Sequence, residues 1–184
     1  MEHFIAYHAV TDRPMHVDQE FVLDETHHNG VHRRVMEKLP QVREIYAHPE
    51  QYRADELEHH TAVALRELAL EAVQREKFPA YPSRLGCLYG SEQVEEARRW
   101  ADLFAAWGRP TYQVVRLRVD GARFVGDANN CFQASLRLEE NLALAERYWR
   151  NEPNPRGDRP IRELLIAGTI QVLSIVKEIR RNVD

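Results

Sequence analysis

Three polar residues lie inside or at the ends of short apolar runs, where a polar side chain is costly unless it has a partner. They are His8 in Phe4-Ile5-Ala6-Tyr7-His8-Ala9-Val10, Tyr89 closing Leu85-Gly86-Cys87-Leu88-Tyr89, and Glu163 opening Glu163-Leu164-Leu165-Ile166. An imidazole and a carboxylate can each hold or move a proton or hydrogen-bond a ligand, and a phenol adds a ring face and a hydroxyl. Singly, each has a plainer role: a satisfied core histidine, an aromatic at a strand end, a solvated strand-entry carboxylate. Ser83 and Arg84 precede the tyrosine run, where a guanidinium serves a pyrophosphate or a surface loop equally well. Asp127, after Phe124-Val125-Gly126, reads as a turn residue beside Asn129 and Asn130, with the shaping of an acceptor side as the alternative.

Other groups carry less. His28 and His32 have the i, i+4 spacing of two ligands on one helical face, with His27 beside them, but no HExxH carboxylate or cysteine pair accompanies them. His59 and His60 are adjacent, and neighbours on a helix point in different directions. Cys87 and Cys131 lack CxxC spacing and read as reduced thiols, so no bridge and no metal is assigned. There is no GxGxxG or Walker loop to bind a nucleotide and no nucleophile elbow.

The elements that must position these groups follow from periodicity. Phe4 to Val10 reads as a buried strand stopped by Thr11-Asp12-Arg13-Pro14, followed by a polar loop from His16 to Gly30. Leu57, Thr61, Ala64, Leu65, Leu68 and Ala72 mark a helix that runs to about Arg75. Leu85 to Tyr89 is a second strand. Ser91 then caps a helix with Glu92 in its first turn, a stripe of Val94, Ala97, Ala101 and Phe104, and a stop at Gly108. Thr111 to Asp120 alternates as a half-buried strand that Asp120-Gly121 turns into a hairpin with Arg123-Phe124-Val125. A helix from about Phe132 to Trp149 follows. Glu163 to Ile166 and Thr169 to Val176 then read as two strands around a tight turn at Ala167-Gly168. Mixed strands and helices without regular βαβ alternation predict an α+β fold.

At 184 residues, with 43% apolar and 29% charged residues, the chain has the size and composition of one globular domain. No apolar run reaches membrane-spanning length and MEHFIAYHAV lacks the form of a signal peptide, so a cytoplasmic protein without membrane attachment is expected. The net charge of -4 gives no global attraction to nucleic acid.

In their order and strand context, these motifs resemble the ADP-ribosyltransferase superfamily in its His-Tyr-Glu form. The resemblance lies at Tyr7-His8, at Leu88-Tyr89-Gly90-Ser91 leading into Ala97 and Trp100-Ala101, at Tyr112-Gln113-Val114, and at Glu163-Leu164-Leu165-Ile166-Ala167-Gly168 with Ile170 and Val172 beyond. It is nearest to small bacterial branches that include rifampin ADP-ribosyltransferases and uncharacterised bacterial and phage relatives. The resemblance implies split antiparallel sheets around an NAD cleft, flanked by helices, in a single domain over 1–184. A helical insert at about 31–78 falls outside it. It implies NAD as co-substrate, with Glu163 on the nicotinamide-ribose hydroxyl and Tyr89 stacked on nicotinamide. His8 would donate a hydrogen bond to the adenosine ribose, the Ala9 backbone would hold the nicotinamide amide, and Ser83 and Arg84 would contact the cofactor. His8, Tyr89 and Glu163 are then expected to converge on one concave pocket. The acceptor stays open among protein, nucleic acid and small molecule. An NAD glycohydrolase and an inactive NAD-binding module share these features. So does an RNA 2′-phosphotransferase drawing on Arg33, Arg34, Arg84, Arg116 and Arg118.

Overall fold

The alternation of Val115, Leu117 and Val119 with Arg116 and Arg118 buries the three apolar side chains fully and leaves both arginines in solvent. The computed structural model describes residues 3–179 and places this alternation in β4, Gln113–Asp127. This strand does not turn at Asp120-Gly121. It pairs along its whole length with β5, Arg162–Glu178, which likewise runs through Ala167-Gly168 without reversing. Both expected tight turns are therefore absent, and the glycines have a different purpose. Gly121 and Gly168 face each other across the ladder, Gly168 has a φ of 119°, and a Cβ there would come within 2.7 Å of the Gly121 Cα. Two opposed residues without side chains let paired strands bend together.

The consequence is seen at the sheet edges. Strand β1, His3–Val10, pairs with the first half of β4 from Gln113 to Asp120. Strand β2, Glu20–Leu23, lies in the segment read as a polar loop and pairs with β5 from Gly168 to Gln171. Strand β3, Leu88–Gly90, pairs with β5 from Leu164 to Ile166. The result is one five-stranded antiparallel sheet ordered β1-β4-β5-β2, with β3 also on β5. Although β1 and β3 flank opposite edges and opposite halves of the β4–β5 ladder, Tyr7 and Ser91 exchange backbone hydrogen bonds of 2.9 and 2.8 Å. Their meeting requires the ladder to curve, and the closely apposed Gly121 and Gly168, the latter at φ 119°, are where side chains would oppose that most. Leu117, Val119, Leu164, Ile166, Ile170 and Val172 form one buried cluster on the sheet.

Ser91 is thus a strand-bridging residue and not a helix cap; α4 begins later, at Val94–Ala106, with Glu95 and Glu96 in its first turn. Its Ala97 and Ala101 pack on Ala9 and Val114, and Gly108, at φ 72°, follows its end. Helices α1, Gly30–Glu37, and α2, Leu39–Ala47, precede α3, His59–Lys77. The start of α3 is set by Glu58, whose carboxylate caps the His60 and Thr61 amides, so Leu57 lies just outside the helix. Helix α5, Leu138–Trp149, is shorter than its apolar pattern. Asn141 accepts the Ser135 amide, which holds the preceding residues as a loop. Ala69, Leu70 and Val73 of α3 and Tyr148 and Trp149 of α5 cover Phe124 and Leu165 of the sheet. No described helix is long and apolar enough to cross a membrane.

Candidate functional site

The register of β5 decides where Glu163 goes. It pairs with Gly126, where a Cβ would lie 2.7 Å from the Phe124 ring and 3.2 Å from the Tyr148 hydroxyl, so the glycine leaves room for both aromatic side chains beside Glu163. Tyr148 donates to Glu163 Oε1 at 2.6 Å, Arg84 Nη1 donates to the same oxygen at 2.6 Å, and the Cys131 thiol lies 3.7 Å from it. Burial pushes the Cys131 thiol up to about 12, so it is a protonated weak donor. The second oxygen, Oε2, accepts no hydrogen bond from a described residue and is not sealed from solvent. Glu163 is thus a largely buried carboxylate, 12% exposed, held through one oxygen with the other free of hydrogen bonds from described residues.

Arg84, at 5% exposure, is the hub. Its Nε and Nη2 edge faces Glu67 of α3 at 2.8 and 3.4 Å, while Nη1 is shared by Glu163 and Tyr148. Burial opposes its charge, but Glu163 and then Glu67 outweigh that and raise its pKa well above the ordinary guanidinium value. Burial likewise works against ionised Glu67, and Arg84 still holds it below the ordinary carboxylate value. The fork expected at a pyrophosphate is therefore occupied by two protein carboxylates. Ser83 is similarly engaged, donating to Glu71 at 2.6 Å and accepting from the Leu85 amide; Gly86 and Cys87 then turn back to the Ser83 carbonyl. That turn is why β3 starts at Leu88 rather than Leu85.

Tyr89 hangs from the same turn. Its hydroxyl donates to the Arg84 carbonyl at 2.9 Å and the Arg84 guanidinium lies 5.4 Å from its ring centre. Its own carbonyl accepts from His8 Nδ1 at 2.7 Å. Burial drives the His8 pKa from 6.5 to about 4; the Tyr89 bond opposes the shift and the positive charge of Arg109 adds to it. Near neutral pH His8 is an uncharged ring with its proton on Nδ1, and Nε2 is an acceptor. Tyr7 turns its N–H and C=O toward Ser91, so strand alternation sends those of Ala9 to the same edge, where no described residue takes them. Arg109, held 4.8 Å over the Phe104 ring, and Arg34 are near enough to each other for like-charge repulsion to lower the Arg109 pKa after burial; neither has a carboxylate partner among the described residues.

The three sequence-predicted residues are therefore joined in one network, His8 to Tyr89 to Arg84 to Glu163. They do not line the cavities of about 450 and 490 Å³ that open beside Phe124 and Val125 and beside Asp127 and Arg162. The Arg84 side chain occupies the space between Tyr89 and Glu163 instead. Asp127 closes a loop, accepting from the Asn129 and Ile161 amides. His28 and His32 stack ring on ring, with centroids 3.8 Å apart.

Sequence reasoning missed Glu67, Tyr148 and Asn29. Asn29 caps α1 and also donates to the Arg84 and Cys87 carbonyls at 2.8 and 3.0 Å, fixing the turn from behind. One signal was readable: Glu67 and Glu71, at i, i+4, flank Leu68-Ala69-Leu70 on the helix, where acids beside apolar residues call for buried partners. No curated protein matches the chain. Residues 6–178, which include every residue of this network, match the family described as Protein of unknown function (DUF2441), and the chain belongs to that family.

Proposed function

We propose that the protein transfers ADP-ribose from NAD to an acceptor, releasing nicotinamide. The observation that carries this reading is the Glu163 carboxylate, with Oε1 held by Arg84, Tyr148 and Cys131 and Oε2 free, in one network with Tyr89 and His8. When the bond between the ribose C1′ and the nicotinamide nitrogen breaks, its electron pair leaves with nicotinamide and positive charge develops on the sugar. The acceptor then bonds to C1′ and gives up a proton. A fixed carboxylate that accepts a ribose hydroxyl through Oε2 stabilises that charge without reorganising.

The other groups suit the same substrate. The unpaired N–H and C=O of Ala9 form a donor and acceptor pair matching a carboxamide, and Tyr89 supplies a ring for nicotinamide. With Nδ1 committed to Tyr89, His8 accepts from a ribose hydroxyl through Nε2, the reverse of the donation inferred from resemblance. Since Arg84 is engaged with Glu67 and Glu163, Arg109, whose charge reaches His8, and Arg34, whose charge reaches Arg109, are candidate cations for the pyrophosphate. The bend at Gly121 and Gly168 divides the sheet into two halves, which supports the split arrangement of an ADP-ribosyltransferase.

The test is nicotinamide release from NAD in the presence of host lysate, with the fate of labelled ADP-ribose followed. Glu163→Gln should bind NAD like the wild type but release nicotinamide about 100-fold more slowly or worse. Tyr89→Ala should weaken NAD binding. Equal turnover by wild type and Glu163→Gln would remove the carboxylate from the chemistry. Label ending as free ADP-ribose would identify water as the acceptor, and a wild type that binds NAD without turnover would be a binding module.

A further inference from the structure

The chemistry proposed above leaves Glu67 without a role, yet it is an acid at 2% exposure on a helix outside the resemblance to any transferase. Burying a carboxylate and a guanidinium together is expensive, and apolar residues of similar size would hold α3 to the turn at least as well. What an apolar pair cannot do is fix the plane of a guanidinium. The Nε and Nη2 edge of Arg84 meets both oxygens of Glu67, at 2.8 and 3.4 Å. That two-point contact sets the direction of Nη1, which reaches Glu163 and Tyr148 at 2.6 and 2.7 Å. The main chain of Arg84 meanwhile carries the acceptor for the Tyr89 hydroxyl, so one residue orients the stacking ring and the carboxylate.

Charge points the same way. Arg66, Glu67, Arg84 and Glu163 form a row of alternating sign, with Arg66 at its more exposed end and Glu163 at the other. With Glu67 in place Arg84 is shared between two anions, so its field does not cancel the one that must stabilise the sugar. Without Glu67 the guanidinium becomes the counter-ion of Glu163 alone.

Resting on the transferase reading, we propose that Glu67 and Arg84 are a positioning pair: Glu67 locks the Arg84 fork so that Glu163, with Tyr148 beside it, is held for NAD cleavage and keeps its effective charge. Glu67 touches no substrate, so its signature is a split between rate and affinity.

The experiment measures nicotinamide release and NAD affinity, the latter by calorimetry, for four proteins: wild type, Glu67→Gln, Glu67→Asp, and the double variant Glu67→Leu with Arg84→Met. Glu67→Gln should lower kcat about tenfold or more with NAD affinity within about twofold of wild type, and Glu67→Asp should recover part of the loss. If Glu67→Gln is too unstable to assay, the double variant decides, because it removes both charges of the Glu67–Arg84 pair together and leaves only Glu163, which keeps its Tyr148 hydrogen bond, so it should still melt cooperatively. It should still lose kcat through the freed Glu163. Wild-type kcat in a folded Glu67→Gln or in the double variant, or a loss that is entirely one of NAD affinity, overturns the positioning role while leaving the transferase reading intact. A wild type that releases no nicotinamide overturns both.

Discussion

A histidine that the fold holds neutral couples stability to pH. His8 in the folded protein has a pKa of about 4 against 6.5 in an open chain, because burial disfavours its charged form. The unfolded chain therefore binds more protons between these values. The stability contributed by neutral His8 is complete above pH 6.5 and is lost as pH falls toward 4, with a slope of up to about one proton. Thermal unfolding followed from about pH 7 to about pH 4 should show His8→Gln losing less stability across this window than the wild type. Parallel curves would mean that His8 is not held neutral by the fold. Above this window Nε2 is unprotonated, so ligand contact through it should not vary with pH. Tyr148 is also kept un-ionised, chiefly by burial, and its proton stays available to Glu163 at physiological pH.

Among the elements, the clearest misreading concerned glycine. Asp120-Gly121 and Ala167-Gly168 have the composition of tight turns, and no local feature distinguishes a turn from a bend in a paired strand. The distinction comes from the partner: Gly121 meets Gly168 only after residues nearly fifty apart have paired. A helical cap at Ser91 was plausible for the same local reason and gave way to its bridge with Tyr7. By contrast, the alternating part of β4 and the Ala97 and Ala101 face of α4 were legible, because their burial follows a period within one element. Strand β1 was legible only as a β-rich run, and in α3 Thr61, Ala64 and Leu65 are buried as expected while Ala72 is exposed and Glu71, Val73 and Gln74 are buried instead. His8, Tyr89 and Glu163 stand out in the sequence because each is polar in an apolar run, and the structure joins them in one hydrogen-bonded network. Glu67 and Tyr148 were hidden because only tertiary pairing gives them partners. The two glycine roles separate experimentally. Gly108, at φ 72° with open space around a would-be Cβ, should tolerate alanine at about 1 kcal/mol. Gly168→Ala adds overlap with the backbone of Asp120 and Gly121 to an unfavourable φ, and should cost about 3 kcal/mol or more in denaturant unfolding. Similar losses at the two sites would mean that the strands do not bend against each other there.

Across the whole molecule, the helical segment that resemblance leaves aside is tied to both core and site. Leu70 packs against Trp149 and accepts its indole N–H at 2.9 Å, while Leu70 and Val73 join Phe124, Tyr148 and Leu165 in one buried cluster. Glu67 pairs with Arg84, Glu71 with Ser83, and Gln74 donates to the Tyr81 carbonyl at 2.8 Å, so three residues along α3 hold the chain that leads into β3. Replacing residues 31–78 with a short Gly-Ser linker would expose that cluster and leave Arg84 buried without its deeper counter-ion. Each loss is worth several kcal/mol, against a total stability of about 5–15 kcal/mol for an ordinary domain. The shortened chain should show no cooperative melt and no near-ultraviolet circular dichroism from Tyr148 and Trp149. If it instead melts cooperatively and still binds NAD, the helices are an appendage and the site is built by the sheet alone. The structure argues against that outcome, because the Arg84 that orients Glu163 is itself oriented from α3.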